Sequence, residues 1–534
     1  MKAKVVCMTQ LVEKSPQAIP LGAACIASAI KNSPLTKDYC DSVLLSFYPS
    51  DSVDLITQKI LEQLKESEIK LCAFSIFVWN RIKLEAVAKN LQKQKVLCIC
   101  GGPEVTAHPE CFSYFDAVIP GEGENKVPAA IAKLLKLEVK TEIEAISLDK
   151  LSSPYLDGTI NPAEYGGALW ELARGCPFKC SYCYESKGEK TVRLFPMERI
   201  KKELELFAEK KVPQVFVLDP TYNANKKRAV QLLNMIAEKT PNTFYYFEAR
   251  AEFIDRELAR AFTKIPCAVQ FGLQSADENV LKLVNRSFNK KQFVKNIGIM
   301  NEEGVVFGFD LIYGLPGESL KGFKDGIDFA ISLYPNNLEL FCLSVLPGTD
   351  LFDRADSLNL HYEKEPPYHI IYTDKYSKTD IQVAEKLSKA CTVFYNDGRA
   401  VPWFNTICRT LRIKPSQFFV QLSEHKMFAD FLKNNDCNNC DHKIIEKLQL
   451  DFVFELFKQK KMDRFIKLAA DVIKLNGAIS RVQDTGKKES VSLTYPADYI
   501  DSQYATDFQF FLSNIKPSPK KIEITKKNSQ IHLS

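Results

Sequence analysis

The chain has 534 residues, 46% of them hydrophobic and 26% charged, an ordinary globular composition with room for about three domains. Its 71 Lys and Arg against 66 Asp and Glu leave a net charge of +5, too small to signal a nucleic-acid partner. The first residues lack a secretory apolar run, no stretch approaches the roughly 18 apolar residues of a membrane span, and the 16 cysteines are scattered through runs such as Val96-Leu97-Cys98-Ile99-Cys100. That pattern excludes a disulfide scaffold and fits reduced core thiols in a cytoplasmic protein.

Residues 1–137 alternate short β-branched runs with helical patterns. Strands are expected over 3–8, 42–47, 71–76, 96–100 and 116–119, with a helix over 21–31 whose Leu21, Cys25, Ala29 and Ile30 share a face. Near-continuous apolar strands between helices predict an α/β, doubly wound parallel sheet of Rossmann or flavodoxin-like type. Two turns follow strands, Gly101-Gly102-Pro103-Glu104 and Gly121-Glu122-Gly123-Glu124. Ligands of such sheets bind beyond the carboxyl ends of the strands, although plain turns explain the glycines equally well. Glu104 and His108 read as solvated loop residues. Trp79 either covers a flat cofactor or packs, and packing is the commoner fate. Cys7, Cys72, Cys98, Cys100 and Cys111 read mostly as core. Residues 138–165 carry turn chemistry and form a linker.

A second β/α series fills 166–375, with strands expected over 168–174, 215–219, 244–250, 268–274, 305–313 and 338–345. Its first helix, over 196–210, places Ile200, Leu204 and Phe207 on one face. Six such units predict a partial, TIM-like parallel barrel, whose chemistry sits at the carboxyl ends of the strands. There, after the first strand, lies Cys176-Pro177-Phe178-Lys179-Cys180-Ser181-Tyr182-Cys183. Three thiols at C-x3-C-x2-C spacing bind three irons of a cubane and leave the fourth open, the mark of a reactive site. A zinc ribbon needs a second C-x-x-C about 15–20 residues away, and none follows. Asp219, Glu248, Arg250, Gln274, Ser275 and the run from Gly314 to Glu318 fall at the ends of later strands.

Residues 376–534 form a mixed, mostly helical region, with helices over 378–394 and 444–458 and a strand over 489–494. The last 20 residues hold five lysines against one acid and read as a solvated, mobile end. Cys437, Cys440 and His442 are one ligand short of a zinc site unless Cys391 or Cys408 completes it; a cysteine-bearing loop is the plainer reading.

The aromatic Tyr182 makes the loop C-x3-C-x-φ-C. Phe216-Val217-Leu218-Asp219, Phe247-Glu248-Ala249-Arg250, Phe271-Gly272-Leu273-Gln274-Ser275 and Asp310 through Gly314-Leu315-Pro316-Gly317-Glu318 follow in order. In these motifs the chain resembles the radical S-adenosylmethionine (SAM) superfamily. Pro20-Leu21-Gly22 and the two glycine turns resemble the cobalamin-binding domain of one subgroup, although the Asp-x-His-x-x-Gly cobalt-ligand motif is absent. Pro366-Pro367-Tyr368 and Tyr395-Asn396-Asp397-Gly398 resemble features of a branch with its own C-terminal extension.

The resemblance implies a 4Fe-4S cluster on Cys176, Cys180 and Cys183, with SAM chelated at the open iron. An electron from a small low-potential donor (flavodoxin or ferredoxin) then cleaves SAM to methionine and a 5′-deoxyadenosyl radical, anaerobic chemistry that ends in methylation or rearrangement of an unactivated carbon. It places Tyr182 near the adenine, Asp219 by the methionyl amine, and Glu248 and Arg250 at the ribose hydroxyls and carboxylate. Gln274 and Ser275 fall at the ribose or substrate, and Gly314 to Glu318 beneath the adenine. Ser75, Gly101, Gly102, Gly121 and Gly123 would meet cobalamin. Two alternatives stay open. One is a cobalamin-free enzyme of methylthiotransferase type, whose second cysteine set and RNA-binding β-barrel are not evident. The other is a non-catalytic tetrapyrrole carrier or cobalamin sensor, which has no need of the retained cysteines.

Overall fold

The computed structural model describes residues 2–137, 147–186, 191–436, 440–527 and 530–534. Strands β1 (Ala3–Gln10), β2 (Cys40–Phe47), β3 (Lys70–Ser75), β4 (Leu97–Gly101) and β5 (Ala117–Ile119) form a sheet in the order β2-β1-β3-β4-β5, with every pairing parallel. Helices cover both faces, so β1 is buried along almost its whole length. On one face Val6, Met8 and Phe74 meet Ile56, Ile60 and Leu64 of the helix Val53–Leu64. The four-residue spacing of those three aligns them, and Ser52 caps the helix by accepting from the Leu55 amide at 3.1 Å. On the other face Val5, Cys7 and Ala73 meet Ala27 and Ile30 of the helix Leu21–Asn32. Cys72, Cys98 and Cys100 are core residues and Cys111 is exposed. Strand order reverses between β1 and β3, which opens a crevice at their carboxyl ends.

The second sheet is the expected partial barrel. Strand β6 (Ala168–Trp170) starts it, and two-residue strands β7 (Ala173–Arg174) and β8 (Arg193–Leu194) pair antiparallel beside it. Strands β9 (Gln214–Val217), β10 (Phe244–Ala249), β11 (Cys267–Gln274), β12 (Val306–Tyr313) and β13 (Asn337–Cys342) follow, and the six-stranded order β6-β9-β10-β11-β12-β13 is parallel throughout. Alternation divides each strand: Tyr245 and Phe247 are buried in the core beneath the helices, while Glu248 faces the open interior.

The C-terminal helices continue the barrel core rather than forming a separate one. Phe394, Phe404, Phe418 and Phe452 join the cluster that begins at Trp170 and Tyr245. A six-residue π-helix, Thr392–Asp397, carries the Tyr395-Asn396-Asp397 run to β13. The Tyr395 hydroxyl donates to the Pro335 carbonyl at 2.6 Å, and the Asn396 amide exchanges bonds with the Leu338 backbone. The expected mobile tail is instead ordered. Lys520–Lys527 (β15) pairs antiparallel with β14 (Glu489–Leu493) and β16 (Gln530–Leu533), and buries Ile522 and Ile524. Its lysines flank a period-two apolar face, which outweighs their charge.

Candidate functional site

The cysteine loop leaves the end of β7 and is held by backbone bonds to distant segments. Ser181 donates its amide to the Val284 carbonyl at 3.0 Å, and the Leu351 amide donates to the Ser181 carbonyl at 2.8 Å. Asn285 donates its side-chain amide to the Lys179 carbonyl at 2.6 Å. Cys180 is buried, whereas Cys176 and Cys183 are partly accessible. Among the described residues no three His, Cys, Asp or Glu side chains converge as one metal ion would require. A zinc ion would gather its thiolates at about 2.3 Å. A cubane takes each cysteine on a different iron, so its ligands stand apart, and the loop suits the cluster better than the single ion.

The rim residues split into those facing the barrel interior and those spent on the scaffold. Glu248 and Glu185 stay accessible in the barrel mouth, yet enough protein surrounds them that burial raises both carboxyls, with Glu185 adding to the effect on Glu248. Asp219 is engaged by the backbone. Its Oδ1 accepts from the amides of Leu172 and Ala173, each at 2.9 Å, and so shapes the approach to the cysteine loop. Burial pushes its carboxyl up to about 7 against those two bonds. Arg250 is likewise committed: it pairs with Glu252 at 2.8 Å and lies 3.9 Å over the Phe178 ring. Ser275 donates to Glu318 Oε1 at 2.7 Å, and the other Glu318 oxygen is buried without a partner. Burial lifts the Glu318 carboxyl to about 8. Gln274, at φ 67°, keeps an unpartnered Oε1. Tyr182 packs against the cluster of Leu315, Leu343 and Leu351. Gly314 has φ 86°, and a Cβ there would run into Ile370, so neighbouring protein already accounts for this glycine.

Across from the loop lies a cavity of about 660 Å³ between the carboxyl edge of the N-terminal sheet and the barrel rim. Ser75, Gly101, Gly102, Gly121 and Gly123 all border it, as do Arg174, Gly175 and Glu185 of the barrel. The volume sits in the middle of the range for small-molecule sites. Gly102 needs no ligand to explain it, because at φ 110° a Cβ would collide with the Ile76 backbone. Trp79 does not pack away as expected. It is 45% exposed at the cavity, stacked on Phe77 at 4.5 Å, with its indole N–H donating to the Gln10 carbonyl at 3.0 Å. The Asn80 amide donates to the same carbonyl. Gln10 itself is only 4% exposed, borders the cavity, and has a side-chain Oε1 without a partner.

Two polar clamps bracket this cavity. Arg174 pairs with Glu171, Glu122 and Glu124 at 2.8, 3.2 and 2.6 Å, and Arg193 joins at Glu122. Burial raises the Glu171 carboxyl despite Arg174. On the other side Arg81 meets Glu104 at 3.2 Å, and the Tyr368 hydroxyl donates to Glu104 at 2.8 Å. Glu104 is therefore a buried interface carboxylate, not a solvated loop residue, and Tyr368 gives the Pro366-Pro367-Tyr368 run a role. The candidate zinc set fares differently. Cys437 lies outside the described residues, and Cys391 and Cys408 are buried core. His442 receives a bond from Arg481 at Nδ1, 2.8 Å, and its Nε2 meets the Gly398 carbonyl at 3.4 Å, so both ring nitrogens are taken. Burial and two arginines push its pKa down to about 4.

The family model of the Radical SAM superfamily matches residues 170–330, the segment that carries the cysteine loop and strands β7 to β12. The chain carries a radical SAM domain. It is 28% identical over 336 residues to the cobalamin-dependent radical SAM methyltransferase TokK of Streptomyces tokunonensis, a match covering 53% of this chain and 48% of that protein. The match thus spans about half of that relative's length. An uncharacterized methyltransferase of Pyrococcus horikoshii is 24% identical over 411 residues, covering 70% of this chain and 87% of that one. Among solved structures, the cobalamin-dependent SAM radical enzyme OxsB, with aqua-cobalamin and SAM bound, superposes with a TM-score of 0.58 at 14% identity, covering 86% and 80% of the two chains. The methyltransferase TsrM from Kitasatospora setae gives 0.55 at 13% identity, over 69% and 80%. These likenesses show a shared α/β fold that includes the N-terminal sheet as well as the radical SAM domain.

One residue of the radical SAM domain was invisible in the motifs. Arg286 reaches Cys180 Sγ with Nη1 at 3.7 Å and also donates to the Gly272 carbonyl through Nη2. In the chain, 106 positions separate it from Cys180.

Proposed function

We propose that this chain is a cobalamin-dependent radical SAM enzyme that methylates an unactivated carbon of a small-molecule substrate. One observation carries the reading: the 660 Å³ cavity at the sheet's carboxyl edge shares its wall with Arg174, Gly175 and Glu185, which flank the cysteine loop. A ligand of the N-terminal sheet would therefore face whatever the cysteines hold. The residues fit the implied groups: three thiols on one loop, an orphan Gln10 oxygen in the cavity and an exposed stacked indole beside it. Bound there, a 4Fe-4S cluster, SAM and cobalamin supply the electron, the hydrogen-abstracting deoxyadenosyl group and the methyl group.

The chain's own residues do the rest. Cys176, Cys180 and Cys183 would hold the cluster, and Asp219 shapes the backbone that presents them. Glu185 and Glu248 stand in the barrel mouth, where they can accept hydrogen bonds from hydroxyl or ammonium groups of SAM or substrate. Leu11, Ile19, Ile26 and Val127 give the cavity an apolar wall against which a large ligand can pack. Anaerobic purification tests the reading. About four irons and one corrinoid per chain are expected, with deoxyadenosine and S-adenosylhomocysteine formed from SAM under strong reductant. Cys180→Ala should reduce deoxyadenosine to background; turnover at the wild-type rate in that variant would overturn the mechanism. Iron without corrinoid would favour the cobalamin-free alternative.

A further inference from the structure

We infer that the outer face of the cysteine loop is the docking surface for an acidic one-electron carrier protein, with Lys179 and Lys282 set around exposed Pro177, Phe253 and Leu283. That role rests on the cluster reading of the loop and adds the face through which its electron enters.

The loop has two sides with different neighbours. Its inner side adjoins the cavity, where Gly175 and Glu185 form part of the wall. A corrinoid there and SAM in the barrel would leave a protein donor no approach from that side. The outer side is open: Pro177 and Lys179, between the first two cysteines, are both exposed. Electron transfer slows steeply with distance, so a donor gains most by touching the residues that lie between the ligands.

This surface continues beyond the loop on both flanks. Phe253, 40% exposed, stacks on Phe178 with ring centres 6.0 Å apart. On the other flank Asn285 is exposed and its side-chain amide bonds the Lys179 carbonyl at 2.6 Å. Just before it in the chain come Leu283, also 40% exposed, and the exposed Lys282. Apolar groups inside a polar rim are the anatomy of a protein contact, and transient electron-transfer contacts need little area.

Charge selects the partner. Among the described residues neither lysine has a carboxylate partner. By contrast, Glu252 beside Phe253 is held by Arg250 at 2.8 Å, and Asp350 is held by Arg354 at 3.1 Å. Asp277 and Glu278 stand at the opposite end of the helix Glu278–Leu283 from Lys282. The carboxylates flanking the loop are thus neutralised and its two ammonium groups are not. Such a face steers an acidic protein toward it and repels a basic one. One electron then leaves the reduced carrier and enters the cluster, with no bond made or broken.

The test compares two reductants on the anaerobically reconstituted full chain, with deoxyadenosine formation from SAM as the readout. A reduced acidic flavodoxin must dock, whereas dithionite need not. With limiting flavodoxin the rate should fall as salt rises, because screening shortens the reach of the lysine charges. Lys282→Glu should lower that rate several-fold at low salt, and adding Lys179→Glu should bring the loss to about tenfold. The dithionite rate should hold at the wild-type value, with about four irons per chain. A wild-type flavodoxin rate in the iron-replete double variant would overturn the proposal, as would a rate indifferent to salt. If the double variant also slows with dithionite, Lys282→Glu alone decides, since that side chain lies outside the cysteine loop. A fall confined to flavodoxin then supports the docking surface, and any other result overturns it. A wild-type chain that takes up no iron, or forms no deoxyadenosine with dithionite, would sink the cluster reading instead.

Discussion

Both parallel sheets turn their carboxyl ends toward the same cavity, yet they furnish it with different chemistry. The N-terminal edge offers neutral groups: the Gln10 amide, Ser75, glycine backbone and the Trp79 indole. Its carboxylates, Glu122 and Glu124, are spent on Arg174 and Arg193. The barrel rim offers charge: Glu185 borders the cavity, Arg286 lies deeper at Cys180, and among the described residues neither Glu185 nor Glu248 has an ion-pair partner. A neutral edge suits an uncharged ligand with a hydrogen-bonding periphery, whereas a charged rim suits a zwitterion or a cluster. The same architectural position is thus specialised by side chains alone.

The border between the two halves breaks most severely at Arg174. Arg174→Met strands Glu171, Glu124 and Glu122 at the interface, and breaking such a buried set costs about 3–5 kcal/mol. Chemical denaturation should show that loss, and a change below about 1 kcal/mol would mean that the carboxylates are well solvated without it. The charged half also predicts a pH trend. Burial raises Asp219 and Asp310 to about 7 and Glu318 to about 8, so the folded state holds protons that the unfolded chain releases near pH 4. Their contribution is complete below the unfolded values and is lost as pH rises through 7 to 8, at up to about 1.4 kcal/mol per pH unit for each group. The thermal midpoint should fall between about pH 4 and pH 8 and level off above that, and Glu318→Gln should flatten the slope. An unchanged slope in that variant would show that Glu318 is ionised throughout. The neutral half makes the smallest prediction. Gln10→Leu removes one hydrogen-bonding group from the cavity and should weaken corrinoid binding about tenfold while leaving SAM affinity intact. Equal weakening of both would erase the division between the two edges.

Much of this was legible in the chain because parallel strands buried on both faces read as apolar runs. The six barrel strands were expected within a few residues of β6 to β13, and so were the five of the first sheet. Regions governed by tertiary context were harder. The lysines of β15 hid its alternating Ile522 and Ile524. Arg250 carries a family-like position, but Glu252, two residues on, claims its guanidinium, while Arg286 meets Cys180 only through folding. Trp79 and Glu104 exchanged their expected surroundings for a related reason: a loop residue's burial depends on what packs over it, and Tyr368, which covers Glu104, lies 264 residues away.

The two clamps have a mechanical consequence. Asp157 of the segment between the sheets accepts from Ser28 at 2.6 Å and Asn32 at 2.7 Å, and Ser153 of the same segment donates to Glu203 of the barrel at 2.6 Å. With Arg174 on one side and Tyr368 on the other, the halves are tied at several points around the cavity. The spacing between an occupant of the first sheet and the cysteine loop is then a fixed gauge. Under the proposed function, a substrate would have to present its reacting carbon within that span, so molecular length would become a criterion of selection alongside chemical character.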